Sequence, residues 1–235
     1  MVFTDPPYNV DYNYHVHYDT KKQNRKGVGF KLFSDKRDNA EFQSWLQKVF
    51  QNAYQYTTID APFYCWHANM TNLYFKQALI DSGWYISQVL IWLKEHLVFS
   101  LGQDYHRIYE PCFFGWKKDQ KHYVNKKTLN NATELIMLDK NTFEEQLDII
   151  YEHRDAMQDY VHPTQKPVRL AERALKRHSE KGFIVLDCFG GSGSTLMACE
   201  QLNRICYMIE LDPYYCQQII NRYEQYSGKK AVKVN

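Results

Sequence analysis

Two hydrophobic patterns alternate along this chain, and they predict most of its elements. In the last third, the apolar run 183–186 is followed by helix-spaced apolar positions over 194–202. A second run at 205–209 precedes a helical pattern over 213–226, which Pro213 opens at its first turn. Upstream, Val2, Phe3 and Thr4 form a short buried strand. Phe42, Trp45, Leu46, Val49 and Phe50 recur at helical spacing, with Asn39 placed to cap them. Strands are expected at 61–67, 85–94 and 112–116, and helices at 73–82 (closed by Gly83), 143–151 and 167–177. Strands alternating with helices predict an α/β fold with a doubly wound, mostly parallel sheet.

Two stretches break the pattern. Residues 9–39 are polar, with Lys21, Lys22, Arg25 and Lys26 around Gly27 and Gly29, and read as a long functional loop. Residues 117–127 are basic, with Lys117, Lys118, Lys121, Lys126 and Lys127 around His122 and Tyr123, and an acidic segment follows. Residues 117–161 therefore read as an insertion in a single domain spanning 1–235. Both basic stretches are either solvated charge or phosphate contacts. Asn125, Asn130 and Asn131 are candidate base-reading side chains.

Composition narrows the class. With 235 residues, 44% hydrophobic and 24% charged, the chain is one ordinary globular domain. A net charge of +2 supplies no overall field for nucleic acid, so any DNA footprint is a local patch. The 16% aromatic content serves either a Tyr-rich core or base stacking. Six cysteines without CxxC spacing mark neither zinc nor a disulfide framework. Without a leader or a long apolar run, the cytoplasm is the expected location. Cys112 follows Pro111 inside an apolar run and reads as structural. His15 and His17 alternate, but no further ligand accompanies them, so no metal is expected.

Two motifs carry chemistry, each at the carboxyl end of an expected strand. Gly190, Gly191 and Gly193 separate a strand ending at Asp187 from a helix, where glycines let backbone approach a ligand. Glu210 lies 23 residues beyond Asp187, where a carboxylate can accept both ribose hydroxyls. Tight packing alone is the competing reading of the glycines. No GK[ST] follows, and Leu196 stands where a dinucleotide loop needs its last glycine, so phosphate ligands are disfavoured. A sulfonium nucleoside has no pyrophosphate, and Asp187 would face its ammonium group.

At the other end stand Asp5, Pro6, Pro7 and Tyr8. Proline fixes φ, so the Pro6 carbonyl is an acceptor at a stiff turn beside the Asp5 carboxylate. Two acceptors can hold both hydrogens of an exocyclic amine and turn its lone pair outward, and Tyr8 can stack on the ring. In a doubly wound sheet, motifs this far apart in sequence can meet at the switch point.

These residues resemble the β-class amino-group DNA methyltransferases, in which the catalytic motif comes first and the cofactor motif last. Asp5-Pro6-Pro7-Tyr8-Asn9 is similar to the catalytic motif. His162-Pro163-Thr164-Gln165-Lys166-Pro167 is similar to the segment before the cofactor strand. Residues 187–195 are similar to the cofactor loop and 209–213 to the ribose-binding segment. The resemblance implies a circularly permuted Rossmann-like fold, S-adenosylmethionine, double-stranded DNA with a flipped base, and a homodimer. It implies that Phe189 contacts the cofactor's adenine, Glu210 its ribose, and Thr164 and Lys166 its methionine end. The 117–161 insertion would read the target. Asp-Pro-Pro-Tyr leans toward adenine N6; cytosine N4, or an inactive DNA-binding remnant or split subunit, are the alternatives. Family members carry a further strand upstream of the catalytic one. One edge strand is thus expected to be missing here, unless 231–234 fills it or an N-terminal segment or partner supplies it.

Overall fold

A computed structural model describes residues 1–10, 37–98, 104–125, 147–154, 161–162 and 165–234. In chain order the elements are β1 (Val2–Thr4), α1 (Asn39–Gln55), β2 (Pro62–Trp66), a 3-10 turn (Asn69–Thr71) and α2 (Asn72–Asp81). β3 (Trp84–Val98), β4 (Arg107–Lys117), β5 (Ile149–Tyr151) and α3 (Val168–His178) follow. The chain then continues through β6 (Ile184–Asp187), α4 (Ser194–Gln201), β7 (Ile205–Met208) and α5 (Pro213–Ser227). The sheet order is β5-β3-β4-β2-β1-β6-β7. β1 pairs in parallel with β2 and β6, β6 with β7 and β3 with β5; β4 runs antiparallel to β2 and β3.

Helices cover both faces, and side-chain alternation assigns each strand residue to a side. Val2, Phe63, Cys65 and Phe113 pack under Phe42, Leu46 and Phe50 of α1 and Phe75 and Leu79 of α2. Phe3, Tyr64, Trp66, Cys112 and Phe114 pack under Leu170, Ala174 and Leu175 of α3 and Ala198 of α4. Cys112 is fully buried, and its apolar surroundings push the thiol well above its ordinary pKa, which suits structure rather than nucleophilic attack.

Several expectations change. Asp38, not Asn39, caps α1: its carboxylate accepts the Ala40 N–H at 2.9 Å. The described end of the expected 143–151 helix is strand β5 instead. Its Ile149-Ile150-Tyr151 run pairs with Ile91–Leu93, and sheet pairing overrides the helical spacing. Residues 231–234 form no strand. Among the described residues nothing pairs with the outer side of β7, where Ile205, Tyr207 and Ile209 are exposed.

The basic stretch is corrected at Lys117. Its ammonium is buried and donates to the carbonyls of Tyr54 (2.6 Å) and Thr57 (2.7 Å), closing the end of α1. It neutralises orphan carbonyls at the negative end of the helix dipole rather than meeting phosphate. His122 stacks on Trp116 with centroids 3.9 Å apart, and Tyr123 packs on Phe183. Because β4 is antiparallel to β2, with Trp66 opposite Cys112 and Pro62 opposite Trp116, residues 117–125 leave the sheet at the end opposite β1's carboxyl terminus. The length of β2, about 17 Å, lies between. Lys126, Lys127, Asn130 and Asn131 lie outside the described residues, as do His15, His17 and the lysines of the 9–39 loop. Lys117→Met is expected to destabilise the fold by about 2 kcal/mol, the scale of hydrogen bonds to a charged donor. Urea unfolding would measure it.

Candidate active site

β1 and β6 lie side by side and parallel, with Val2 opposite Leu186. Their carboxyl ends therefore open on the same edge of the sheet. The chain departs from β1 toward β2 on one side and from β6 toward β7 on the other, which leaves a crevice between the two loops. Sheet order alone thus brings the catalytic and cofactor motifs together.

The first loop is held from three directions. Asn9 adopts a left-handed conformation (φ 56°). Its side chain donates to the Arg37 carbonyl at 3.1 Å and accepts the Arg37 N–H at 2.7 Å. The Thr71 hydroxyl donates to the Tyr8 carbonyl at 2.9 Å. Pro6 is buried and Pro7 exposed. Tyr8 donates its hydroxyl to Asp5 Oδ1 at 2.7 Å while its ring meets Phe75 edge-on. Asp5 thus has a fixed carboxylate at the crevice. Burial pushes its pKa up, against the opposing pull of the Lys166 ammonium.

Lys166 is the main surprise. Its buried Nζ donates to Asp5 Oδ2 and, at 2.9 Å, to the Tyr8 oxygen, and lies 3.3 Å from Glu110 Oε2. It also sits 5.3 Å from the Tyr8 ring centre and 5.5 Å from that of Trp66. The structure therefore joins Lys166 to the catalytic motif. Burial would drive off its proton, but Asp5 and Glu110 outweigh burial and raise its pKa. Glu110 on β4 and Lys94 on β3 complete the cluster through their own ion pair. Neither was singled out from the sequence. The available signal was a charged residue inside an otherwise apolar strand run.

The second loop separates its glycines by role. A Cβ on Gly190 would stand 2.8 Å from Met208 Sδ, and one on Gly193 3.1 Å from Ile219, so these two glycines permit close packing on β7 and α5. Gly191 shares a positive φ with Gly193 (+53° and +76°), but the nearest neighbour of a Cβ there would be the His162 ring at 3.9 Å. That leaves a cradle open to a ligand. The Gly191 N–H donates to Glu210 Oε2 at 2.7 Å and the Asp212 N–H to Oε1 at 2.9 Å, which fixes Glu210 at the rim with lone pairs to spare. Phe189 is half-buried, edge-on to Trp45 of α1.

Asp187 is buried, and it accepts the Phe189 N–H at 3.1 Å and the Thr195 hydroxyl at 2.6 Å. Its oxygens organise the loop from inside. Burial raises its pKa to about 7, the two hydrogen bonds opposing. Ser194 donates to the Lys166 carbonyl at 2.6 Å, so α4 holds the 165–167 segment against both motifs. Thr164 lies outside the described residues. Among those described, no His, Cys, Asp and Glu cluster could hold a metal.

The open cradle at Gly191, the rim carboxylate and the flanking aromatic ring suit a nucleoside cofactor without phosphates. Comparisons with known proteins agree with this reading. The DNA methylase family model for N6 and N4 enzymes matches residues 1–221. DNA adenine methyltransferase YhdJ of Escherichia coli (strain K12) is 24% identical over 257 residues, covering 100% of this chain and 80% of that one. The fold resembles the M1.HpyAVI–SAM complex, with a TM-score of 0.62 and 21% identity over 94% of this chain and 86% of that one. It also resembles the cytosine-N4-specific PvuII DNA methyltransferase, with a TM-score of 0.66 and 14% identity over 97% and 86%. From its first strand to its last helix, the chain belongs to the N6/N4 DNA methylase family, enzymes that methylate DNA amino groups with S-adenosylmethionine as donor.

Proposed function

We propose that the chain transfers the methyl group to the N6 amino group of a flipped adenine in double-stranded DNA. The observation that carries this reading is the Asp5 carboxylate, held by Tyr8 and Lys166 one strand away from the Gly191 cradle. An aspartate in this place leans toward adenine rather than cytosine. The bound cofactor supplies an electrophilic methyl on a sulfonium. Asp5 accepts one hydrogen of the target amine and the Pro6 carbonyl the other. Both acceptors turn the nitrogen lone pair outward and stabilise the positive charge that develops on it. Tyr8 and Pro7 border the flipped ring, whose removal from the duplex costs a few kcal/mol. Gly191, Phe189 and Glu210 hold the nucleoside end of the cofactor, and Gly190 and Gly193 shape that loop by letting it pack on β7 and α5. Transfer is direct, with no covalent enzyme intermediate.

Unmethylated DNA incubated with the protein and S-adenosylmethionine, then digested to nucleosides for mass spectrometry, should yield N6-methyldeoxyadenosine. N4-methyldeoxycytidine would overturn the choice of base, and neither product would overturn the activity. We assign target reading to the 117–161 insertion, through its residues beyond 125. No helix among the described residues is long and apolar enough to cross a membrane. A cytoplasmic role in a bacterial or phage modification or restriction-modification system belongs to the same proposal. So does a homodimer, or a strand from another polypeptide, covering the apolar edge of β7. Light scattering at the mass of one 28.1 kDa chain would count against the dimer.

A further inference from the structure

Four charges alternate in one row beside the catalytic loop: Lys94, Glu110, Lys166 and Asp5. Two of them, Glu110 and Lys94, belong neither to the two motifs nor to the segment that carries Lys166. Glu110 accepts from the Lys94 ammonium through Oε1. Its Oε2 lies 3.3 Å from Lys166 Nζ and 3.4 Å from the Tyr8 hydroxyl. The Lys166 ammonium is therefore divided between two carboxylates, and Lys94 anchors the second of them from the far side. The side chains of Lys94 and Lys166 are only 4% and 9% exposed. Burying such a row costs desolvation, and apolar residues of similar volume often stabilise a fold as well or better, so stability alone is a weak reason for it.

We propose that Glu110 is a positioning residue for methyl transfer. By drawing off part of the Lys166 ammonium, it limits the hold of that ammonium on Asp5 and keeps the Asp5 carboxylate a strong acceptor for the target amine. This rests on the reading of Asp5 as that acceptor. In a site of low dielectric, an ammonium shared by two carboxylates weakens each acceptor less than one devoted to a single carboxylate. Without Glu110, Lys166 would devote itself to Asp5 at the moment when positive charge must develop on the amine nitrogen.

The charges around Asp5 set the sign of the test. Lys166 and Tyr8 touch it directly, and Glu110 and Lys94 lie beyond, with Arg154 facing Lys94. Asp187 faces it from β6, and Cys65 and Cys112 from β2 and β4, their thiols pushed well above their ordinary value by burial and so uncharged. His162 faces Lys166 and is held at about 4 by burial and by that ammonium, so it too is neutral. Burial acts to raise the pKa of Glu110, but Lys166 and Lys94 outweigh it and hold the carboxyl at about 2. Glu110 is thus negative throughout the working range and contributes to the raised pKa of Asp5. Removing it must move the Asp5 titration to lower pH.

The test is Glu110→Gln in the full chain. Its kcat should fall about 10- to 100-fold, the scale of losing a residue that orients a functional group from behind, with cofactor affinity unchanged by calorimetry. The acid limb of the kcat–pH profile should move to lower pH, and so should the Asp5 midpoint followed by carboxyl-carbon NMR. Glu110→Asp keeps the charge and should recover most of the rate. An unchanged kcat, an unmoved Asp5 midpoint, or a rate lost in step with cofactor binding and melting temperature would overturn the proposal. If the wild-type protein methylates no DNA amino group, the functional reading fails, while the NMR midpoint still decides what Glu110 does to Asp5.

Discussion

Replacing Asp5 by alanine is expected to lower methyl transfer by about 10²- to 10⁴-fold while S-adenosylmethionine still binds. The geometry supports both halves of this result. Asp5 sits at the end of β1 with its oxygens engaged by Lys166 and Tyr8 side chains, and the Gly191 loop makes its own bonds to Glu210 and, through Phe189 and Thr195, to Asp187. The cofactor loop therefore does not depend on Asp5 for its shape. Removing a carboxylate from a buried pair normally strands the partner charge at a cost of several kcal/mol. Here Lys166 keeps Glu110 at 3.3 Å, so the ammonium stays paired and the fold should survive. Radiolabelled methyl transfer and calorimetric titration of the cofactor measure the two quantities separately. Loss of cofactor binding in this variant would make Asp5 a structural residue and remove the basis for its catalytic role.

Gly115→Ala should have the largest effect on stability. Gly115 lies in β4, hydrogen-bonded between β2 and β3, opposite Phe63 on one side and Ile86 on the other. A register shift between Ile86 and Gln88 turns the backbone of β3 toward it. A Cβ at this position would stand 1.9 Å from the Tyr85 carbonyl oxygen and 2.9 Å from Phe63 Cε1. The first obstacle is main chain in a central strand pair, which no rotamer change relieves. Overpacking of this kind is expected to cost about 3 kcal/mol or more. For a domain of this size that lowers the melting temperature by roughly 6–12 °C. Gly182→Ala is the control: it has φ +84° but nothing within 4 Å of the added carbon. It should lose only about 1–2 kcal/mol of left-handed strain. Equal losses in the two variants would show that β3 yields around residue 115.

The two motifs were legible as strand–turn units because each is local. A strand, a turn with special backbone needs and a helix occupy adjacent residues, so Asp5-Pro6-Pro7-Tyr8 and the 187–193 loop announce themselves without tertiary information. The apolar runs of β2, β4 and β6 and the helical faces of α1 and α3 were legible for the same reason, since burial on one or both faces imposes their periodicity. Element ends were less so. Asp38 displaced Asn39 as the cap because a cap is chosen by side-chain reach, not by spacing. Strand β5 was misread because three residues carry no period, and only pairing with Ile91–Leu93 makes them a strand.

The candidate site divides along the same line. Sequence determined which residue types were present for an amine-directed transfer and for a nucleoside cofactor. Tertiary structure decided what each one touches. It turned Asp187 inward to hold its own loop and sorted Gly190 and Gly193 as packing glycines against Met208 and Ile219. It carried Lys117 to the end of α1 and Lys166 to Asp5, and added Glu110 and Lys94 from neighbouring strands. A charged side chain buried in a sheet must find its counter-charge wherever the fold supplies one. That partner lies across strands rather than along the chain, so the sequence can mark a charge inside an apolar run but not what it meets.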